Sequence, residues 1–431
     1  MSNSAERRRG FPLPLSLPLS PPRYRRARRS AVRLLPIVAL LSAMPAAWAA
    51  DPAPVADRGL SATLGMDVTS DSNVFRVPDG ADPSQYGFPN VKRADILFSP
   101  YATLDAKLAF ARERLHLAAT ERLARYQSNT NFDGRYADLV ADTHSELADV
   151  WVLDLSGDQN QAASNYADFR TSTQNTQTTR HGRVALTLQP HSFWMSRVIY
   201  DYLRGRDTAP AAKQNDFNVS SVRAEAGVKT SLGKEFTLGV MSSDGTYPTP
   251  QNVNGTLISN DYREREADVR AMVPLGGSTS ATARIGYSKR RYREVPQRDY
   301  SSLAGVIDFA WEATGHLSFR AGVARPAEGL QDQFLVYAVT TRVHLDALYQ
   351  VSQHLGLSAT VAQVKTKYEG DPTLSTQRQD RTPEWTLAAD WHPTERLALN
   401  LGYDHISRTS NLPGNQFVAN VWTLRTSYRF E

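Results

Sequence analysis

Apolar and polar residues alternate along most of the chain. In the final stretch, ANVWTLRTSYRFE, the residues Trp422, Leu424 and Tyr428 fall on one side, whereas Arg425 and Arg429 fall on the other. The same period of two recurs in GLSATLGMDVT, GRVALTL, VRAEAGV, ADVRAMV, HLSFRAGV, RVHLDALY, EWTLAADW and RLALNLGY. Such a period places successive side chains on opposite faces of a β-strand. The pattern predicts many strands with one apolar and one polar face; only ARERLHLAATERLARY also fits a helix.

The connections between these strands alternate in length. Short turns are predicted near residues 112, 157, 190, 234, 277, 315, 352 and 394, and longer polar links such as DGADPSQYGFPNVKR lie between them. Short turns at one end and long loops at the other are typical of outer-membrane barrels. Eight short turns imply 18 strands, and merging the pair near SGDQN gives 16. The sequence therefore predicts an all-β protein, a transmembrane antiparallel up-and-down β-barrel of about 16–18 strands in a Gram-negative outer membrane.

Two soluble all-β architectures could also contain many alternating strands. A β-propeller usually carries repeated glycine and aromatic blade motifs, and the chain shows none. A string of sandwiches would divide into units of about 100 residues with Greek-key connections. In both, many strands would be apolar on both faces, whereas here one face stays polar throughout. A barrel in lipid requires that arrangement, with closed backbone pairing, an apolar exterior and a wet interior.

The first 49 residues have the pattern of a cleaved secretory signal peptide. Arginines precede the apolar run LLPIVALLSAMPAAWAA, which ends in small residues around Trp48. The predicted organisation is a leader over residues 1–49 and a barrel over 50–431. The whole chain has a net charge of +5, but residues 1–49 hold nine arginines and one glutamate, so the remainder has 40 basic and 43 acidic residues. We therefore expect no nucleic-acid partner.

Motifs for catalysis or for cofactors are scarce in the sequence. Cysteine is absent, the nine histidines are scattered, and no HExxH, GxSxG or Walker pattern occurs. The adjacent Asp404 and His405 form the only dyad-like feature, and a loop salt link or a solvated pair is the simpler interpretation. We expect no enzyme activity, no metal site and no cofactor.

The predicted register gives the lumen a belt of arginines. If the apolar positions face lipid, these arginines point inward, on one strand after another: Arg183, Arg197, Arg223, Arg270, Arg284, Arg320, Arg342 and Arg425. Guanidinium groups could attract carboxylated, sulfated or phosphorylated ligands and could donate hydrogen bonds to sugars. The alternative is that acids on the same wall, such as Glu225, Asp268 and Asp346, pair with them and brace the barrel.

Several short motifs resemble one family of outer-membrane barrels. The stretch TSDSNVFRVPDG, residues 69–80, follows an alternating strand and contains the series Asp71, Ser72, Asn73, Val74, Phe75 and Arg76. Further along, one predicted strand starts with Arg93 and Asp95, and another ends with Arg125 and Tyr126. A tryptophan-rich strand containing Trp151 is followed by Gly157, and the turn HPTERL begins at His392. Together these features resemble the EpsL-type β-barrels of exopolysaccharide operons, within a broader group of β-barrel porins.

The resemblance implies a role in exopolysaccharide export or assembly at the outer membrane. The implied partners are outer-membrane lipid, a polysaccharide that is anionic in one version of the hypothesis, polysaccharide-export proteins and the barrel-assembly machinery. Two alternatives stay open, a diffusion porin for small anionic solutes and a non-conducting scaffold for surface polymer. In the first loop motif, Asp71 and Asn73 favour an Asx turn that ends the strand. A functional interpretation makes Asp71, Asn73 and Phe75 an inward fold that narrows the pore.

Overall fold

The computed structural model of the chain describes residues 59–164, 166–167, 170, 174–190, 193–253, 255–325, 327–329, 337–369 and 378–431. The predicted leader, residues 1–49, lies outside these ranges.

Eighteen long strands follow one another in chain order. The first nine are β1 (Gly59–Asp71), β2 (Asp95–Phe110), β3 (Glu113–Tyr126), β4 (Gly134–Leu147), β5 (Trp151–Ala163), β6 (Thr176–Leu188), β7 (Trp194–Asp207), β8 (Phe217–Lys229) and β9 (Glu235–Thr246). The second nine are β10 (Tyr262–Gly276), β11 (Thr279–Tyr292), β12 (Tyr300–Glu312), β13 (Leu317–Arg325), β14 (Tyr337–Gln350), β15 (Leu355–Glu369), β16 (Gln379–Trp391), β17 (Leu397–Ser410) and β18 (Phe417–Phe430). The short segment Ala327–Gly329 also pairs with β14.

The strands form one closed antiparallel barrel. Each long strand pairs with its neighbours in the chain, and β1 pairs with β18, with Ala62 opposite Phe430 and Asp71 opposite Val421. Closure gives every strand two partners, so the sheet has no free edge. The predicted all-β barrel is confirmed, and the strand number is 18.

Short turns and long loops alternate around the barrel, as predicted, but one turn was misplaced. The turn expected at SGDQN lies instead between β4 and β5, at residues 148–150. Gly157 sits within β5, opposite Gly182 and Ala141. The real turn contains no glycine and takes its positive backbone angle at Ala148, with φ of 56°. Turn prediction from glycine therefore selected the wrong position.

The alternation along each strand separates a lipid-facing exterior from a polar interior. On β18, Trp422, Leu424, Tyr428 and Phe430 are exposed on the outer face. The segment that also fitted a helix is strand β3, with Leu117 exposed on the outside. A closed barrel with an apolar exterior, short turns and long loops is the architecture of Gram-negative outer-membrane proteins. The chain is an outer-membrane barrel.

Small elements decorate the long loops. Among the loop residues that the structure describes, four 3₁₀ turns occur, at Pro83–Tyr86, Thr130–Phe132, Pro210–Asn215 and Pro296–Arg298. The loop between β9 and β10 carries a short hairpin, Gln251–Val253 with Thr256–Ile258. Within the described ranges, no helix is long and apolar enough to span a membrane.

Candidate functional site

All eight arginines of the predicted belt lie on the inner face of the barrel. Each occupies a strand position between outward-facing residues, as Arg223 does between Val222 and Ala224 on β8. The register expected from the apolar pattern thus holds on every strand concerned. What the structure adds is the set of partners that each guanidinium meets.

The densest part of the belt is an arginine–carboxylate cluster on β8, β10 and β11, with Arg197 of β7 at its edge. Arg223 pairs with Asp268 and with Glu225. Arg270 Nη1 lies 3.1 Å from Glu225 Oε1, and its Nε lies 3.3 Å from Asp268 Oδ1. Arg284 reaches across from β11, with its Nε 3.6 Å from Asp268 Oδ2. These side chains form one network in which each carboxylate serves more than one guanidinium.

The cluster is layered from the wall toward the lumen. The side chains of Glu225 and Asp268 are 1% and 0% exposed, and that of Arg223 is 5% exposed. Arg270 and Arg284 cover them and remain 24% and 34% exposed. The acids are therefore neutralised at the wall, and the surface that a solute meets consists of guanidinium edges. Buried ion pairs of this kind add little net stability, and their main effect here is to fix the positions of the side chains in the cluster.

Most of the remaining arginines of the belt also have an acid close by. Arg342 Nη1 lies 2.8 Å from Glu384 Oε2. Arg425 binds Asp67 through two hydrogen bonds of 2.8 and 2.7 Å. Arg320 differs, because within the described residues its side chain makes no hydrogen bond or ion pair. Asp346 of β14 lies directly opposite Arg320 in the ladder. Pairing is therefore the rule in this belt and Arg320 is the exception.

Histidines form a second set of lumen contacts, which the sequence analysis missed. His116 of β3 lies between two carboxylates, with Nε2 2.9 Å from Asp105 Oδ2 and Nδ1 2.8 Å from Asp142 Oδ2. His181 of β6 lies similarly between carboxylates of β5 and β7. The signal that could have found them is a histidine at an inward position, flanked on the two neighbouring strands by inward aspartates. In the described part of the chain, no group of three or more acidic or histidine side chains is arranged to hold a metal ion.

The predicted Asx turn is present at the end of β1. The backbone N–H of Asn73 donates to Asp71 Oδ1 at 2.8 Å, and Arg76 Nη1 lies 2.7 Å from Asp71 Oδ2. The Asn73 amide donates to the carbonyls of Val77 and Val418 at 2.8 and 3.0 Å. Asn73 is fully buried and thereby fixes the fold of the first long loop, residues 72–94, against the start of β18. The motif therefore ends the strand and also joins two elements.

Phe75 lies at the centre of an aromatic cluster built from three loops. Its ring centroid lies 4.6 Å from Phe88, 4.9 Å from Phe132 and 5.4 Å from Tyr166. These residues belong to the first loop, the β3–β4 loop and the β5–β6 loop, and Phe75, Phe88 and Phe132 are almost fully buried. Burial raises the pKa of the Tyr166 phenol, which stays neutral. We call these four residues the mouth cluster.

The β5–β6 loop crosses the mouth of the barrel. Ala167 packs against Phe417 and Ala419 on the inner face of β18, and Arg170 donates to the carbonyl of Gly414 in the β17–β18 loop. Six strands of the closed sheet separate these two loops along the wall. The described residues Ala167 and Arg170 of this loop therefore lie across the inside of the barrel, against β18 and the β17–β18 loop.

A second group of side chains covers the inner wall on β10–β12 near the long loops. The Arg290 guanidinium carbon lies 3.9 Å from the ring centroid of Tyr262 and 5.2 Å from that of Tyr300. Arg290 Nη2 also pairs with Glu264 Oε2 at 2.6 Å. Arg298, from the loop beyond β11, is 2% exposed. Its guanidinium bonds the side chains of the β9–β10 loop, including Gln251 at 3.2 Å. Both sides of the mouth are thus shaped by folded loops.

The dyad-like pair of the sequence does not form. Asp404 and His405 lie on opposite faces of β17, because neighbouring residues of a strand point in opposite directions. Asp404 Oδ1 faces the lumen and accepts from Thr386 at 2.5 Å. His405 faces outward, where its ring stacks on Trp385 at 5.5 Å and Nδ1 lies 2.7 Å from Asn420. The two side chains cannot act together on one substrate.

No protein-family model matches the chain, and no curated protein matches it significantly. Among solved structures, the outer membrane protein opdK from Pseudomonas aeruginosa is 11% identical, with a TM-score of 0.47, over 86% of this chain and 99% of that one. OpdQ from Pseudomonas aeruginosa is 12% identical, with a TM-score of 0.46, over 86% and 97%. The siderophore receptor PirA from Pseudomonas aeruginosa is 12% identical, with a TM-score of 0.41, over 86% and 80%. Similarities this low do not bear on what passes through the lumen.

Proposed function

We propose that the barrel is a passage for a hydrated, hydroxyl-rich polymer, an exopolysaccharide, at the outer membrane. The EpsL-type motifs of the sequence motivate the choice of polymer. The proposal assigns the chain a transport or assembly role and no chemical step.

The observation that carries the proposal is the layered arginine–carboxylate cluster. Its carboxylates are neutralised at the wall, while Arg270 and Arg284 present N–H donors toward the lumen. Sugar hydroxyls accept from such donors, and fixed planar guanidinium groups lose little entropy on bonding them. Because the positive charge is largely balanced, the wall binds a sugar chain weakly at many points without trapping an anion at one. Weak contacts at many points allow a sugar chain to move along the lumen, whereas tight binding at one point would hold it in place.

The experiment is single-channel conductance of the refolded protein in a planar bilayer, with a neutral and an acidic oligosaccharide added in turn. We expect open steps that both oligosaccharides interrupt. Arg284 also forms an ion pair with Glu266 of β10. In the charge-balanced variant R284Q/E266Q, which removes this exposed donor and that partner, each interruption should shorten by about tenfold, as expected for the loss of about 1.4 kcal/mol. The lipid-facing substitution V269A on β10, the strand of Glu266, is the control and should leave the interruptions unchanged.

A porin for small anions is the second candidate, and Arg320 favours it. A lumen guanidinium without an ion pair is a point at which an anion can be held. The same recordings separate the candidates, because a porin would conduct with selectivity for small anions and would show no interruption by the neutral oligosaccharide. R320Q would then lower the anion selectivity. A correctly folded barrel without conductance would contradict both passages and would favour a scaffold for surface polymer.

A further inference from the structure

The outer wall of the barrel carries cations placed directly opposite one another. Four cross-strand pairs of like charge occur on outward-facing positions: Arg180 with Arg204, Arg263 with Arg291, Arg265 with Lys289, and Lys365 with Arg381. All four lie in the halves of their strands that lead to the long loops. Like charges directly opposite each other destabilise a sheet. Arg263 also pairs with Asp244 at 3.0 Å, which offsets part of the repulsion in that pair. Repetition of the arrangement on one side of the membrane nevertheless indicates a partner of opposite charge.

The pair on β6 and β7 is the most informative of the four. Arg180 is exposed on the face that it shares with Val184 and Leu186, and its Nε donates to Gln159 Oε1 at 2.8 Å. Arg204 follows the outward Tyr202 by two residues. Among the residues that the structure describes, neither arginine forms an ion pair with a carboxylate. Aromatic residues of a barrel exterior mark the membrane interface, so both guanidinium groups lie at the depth of the lipid headgroups.

An apolar groove of about 580 Å³ runs along the outer wall from Arg180. The outward side chains that line it are leucines and small residues: Leu60, Leu104, Leu117, Leu139, Ala119 and Ala141, with Gly157. Small residues on neighbouring strands leave a depression between the leucines. Arg180 and Gln159 stand at the end of the groove that leads to the long loops.

We propose that this place is a binding site for a phosphorylated lipid of the outer leaflet. The phosphate would be held by Arg180 and Arg204, and one acyl chain would lie in the groove below them. Guanidinium groups bind phosphate with two parallel hydrogen bonds, and a phosphate between two opposed arginines removes their repulsion. An acyl chain in the groove would lie against apolar side chains of the outer wall, which face lipid hydrocarbon whether or not this lipid is bound. Long loops of such barrels face outward from the cell, which assigns the site to the outer leaflet.

The test uses the refolded full chain in detergent, with diphosphorylated lipid A, its dephosphorylated counterpart and inorganic phosphate as probes. Bound lipid is counted by native mass spectrometry. The wild-type protein should retain the phosphorylated lipid, and excess inorganic phosphate should not displace it. R180Q/R204Q should weaken retention by about tenfold or more, since each cation near an anionic surface contributes appreciably. G157L should weaken it comparably, because the first atom that a Cβ there would meet is the His181 carbonyl oxygen at 3.8 Å, so the leucine fits and fills the groove.

Two control variants match these changes elsewhere. R112Q/R396Q removes two exposed arginines from the short turns, and A267L adds the same side chain to an exposed outward position of β10. Both should retain lipid within about twofold of the wild type.

The proposal is overturned if R180Q/R204Q retains the lipid like the wild type, or if the dephosphorylated lipid binds equally well. Loss of lipid in R180Q/R204Q but not in G157L would overturn the assignment of the groove. If an acidic oligosaccharide displaced the lipid from Arg180 and Arg204, the partner would be surface polymer instead. None of these outcomes depends on conductance, so the site and the proposed passage fail separately.

Discussion

Replacing Phe75 by alanine should open the mouth of the barrel while leaving its wall intact. Phe75 is fully buried and contacts three aromatic rings at centroid distances of 4.6 to 5.4 Å. Truncation of a buried phenylalanine to alanine costs about 3–5 kcal/mol. Each aromatic pair that is lost accounts for about 0.5–1.5 kcal/mol. Because all four residues of the mouth cluster lie in loops, the cost falls on the closed arrangement of the loops and not on the strand ladder.

A loss of about 4 kcal/mol corresponds to about a thousandfold change in the equilibrium between closed and open loops. The assay is amide hydrogen exchange of the first loop, measured by mass spectrometry. The amides of Val77 and Phe88 are suitable reporters, because they donate to Asn73 Oδ1 at 3.1 Å and to the carbonyl of Pro83 at 3.1 Å. Their exchange should accelerate by up to about a thousandfold in F75A, and single-channel conductance should rise.

The matched control is F236A, which truncates an exposed, lipid-facing phenylalanine on β9. It should leave exchange in the first loop unchanged. The reasoning would be refuted if F75A exchanged like the wild type at Val77 and Phe88. Uniform acceleration across the strands of F75A would also refute it, since the cluster would then support the wall.

Three further predictions concern the wall. R223Q should lower the free energy of unfolding, measured by urea titration in detergent, by about 3–5 kcal/mol. D268N should restore part of that loss when added to R223Q, and failure to do so would contradict the pairing. A148G should raise the free energy of unfolding by about 0.5–1 kcal/mol, and with it the urea midpoint, because glycine adopts the positive φ of this turn without strain. A lower midpoint would contradict this. R425Q should slow barrel formation on refolding, followed by gel mobility, because Arg425 and Asp67 join the first and last strands; an unchanged rate would contradict that role.

The strand pattern could be read from the sequence because a barrel wall in lipid imposes it residue by residue. The preference of Val222 for lipid and of Arg223 for water places them on opposite faces. The predicted range of 16–18 strands follows from that alternation and from the spacing of turns. The misplaced turn shows the limit of local signals, since Gly157 lies inside β5 while Ala148 makes the turn. The inward arginines follow from the register, but their partners depend on which strands become neighbours and in what register.

The loop clusters could not be predicted in the same way. Phe75 and Tyr166 are far apart in sequence, and their contact depends on how two loops fold across the mouth. Loop residues have no fixed period, so no pattern marks which of them are buried. The Asx turn was predictable because Asp71 and Asn73 are two residues apart, but the bond from Asn73 to Val418 was not. Contacts between residues close in sequence can be predicted from the sequence, whereas contacts across the barrel can be identified only once the fold is known.

The seam between β1 and β18 has a consequence for assembly. Arg425 and Asp67 are 358 residues apart, so joining them closes almost the entire described chain into one loop. For a flexible chain of that length, the entropy of closing the loop would cost about 5 kcal/mol. The seam offsets this cost in one step with a bidentate ion pair at its middle and with the Asn73–Val418 bond at its outer end. We expect pairing of the two terminal strands to limit the rate of barrel formation. Damage at either end of the chain would leave an open sheet with two exposed edges.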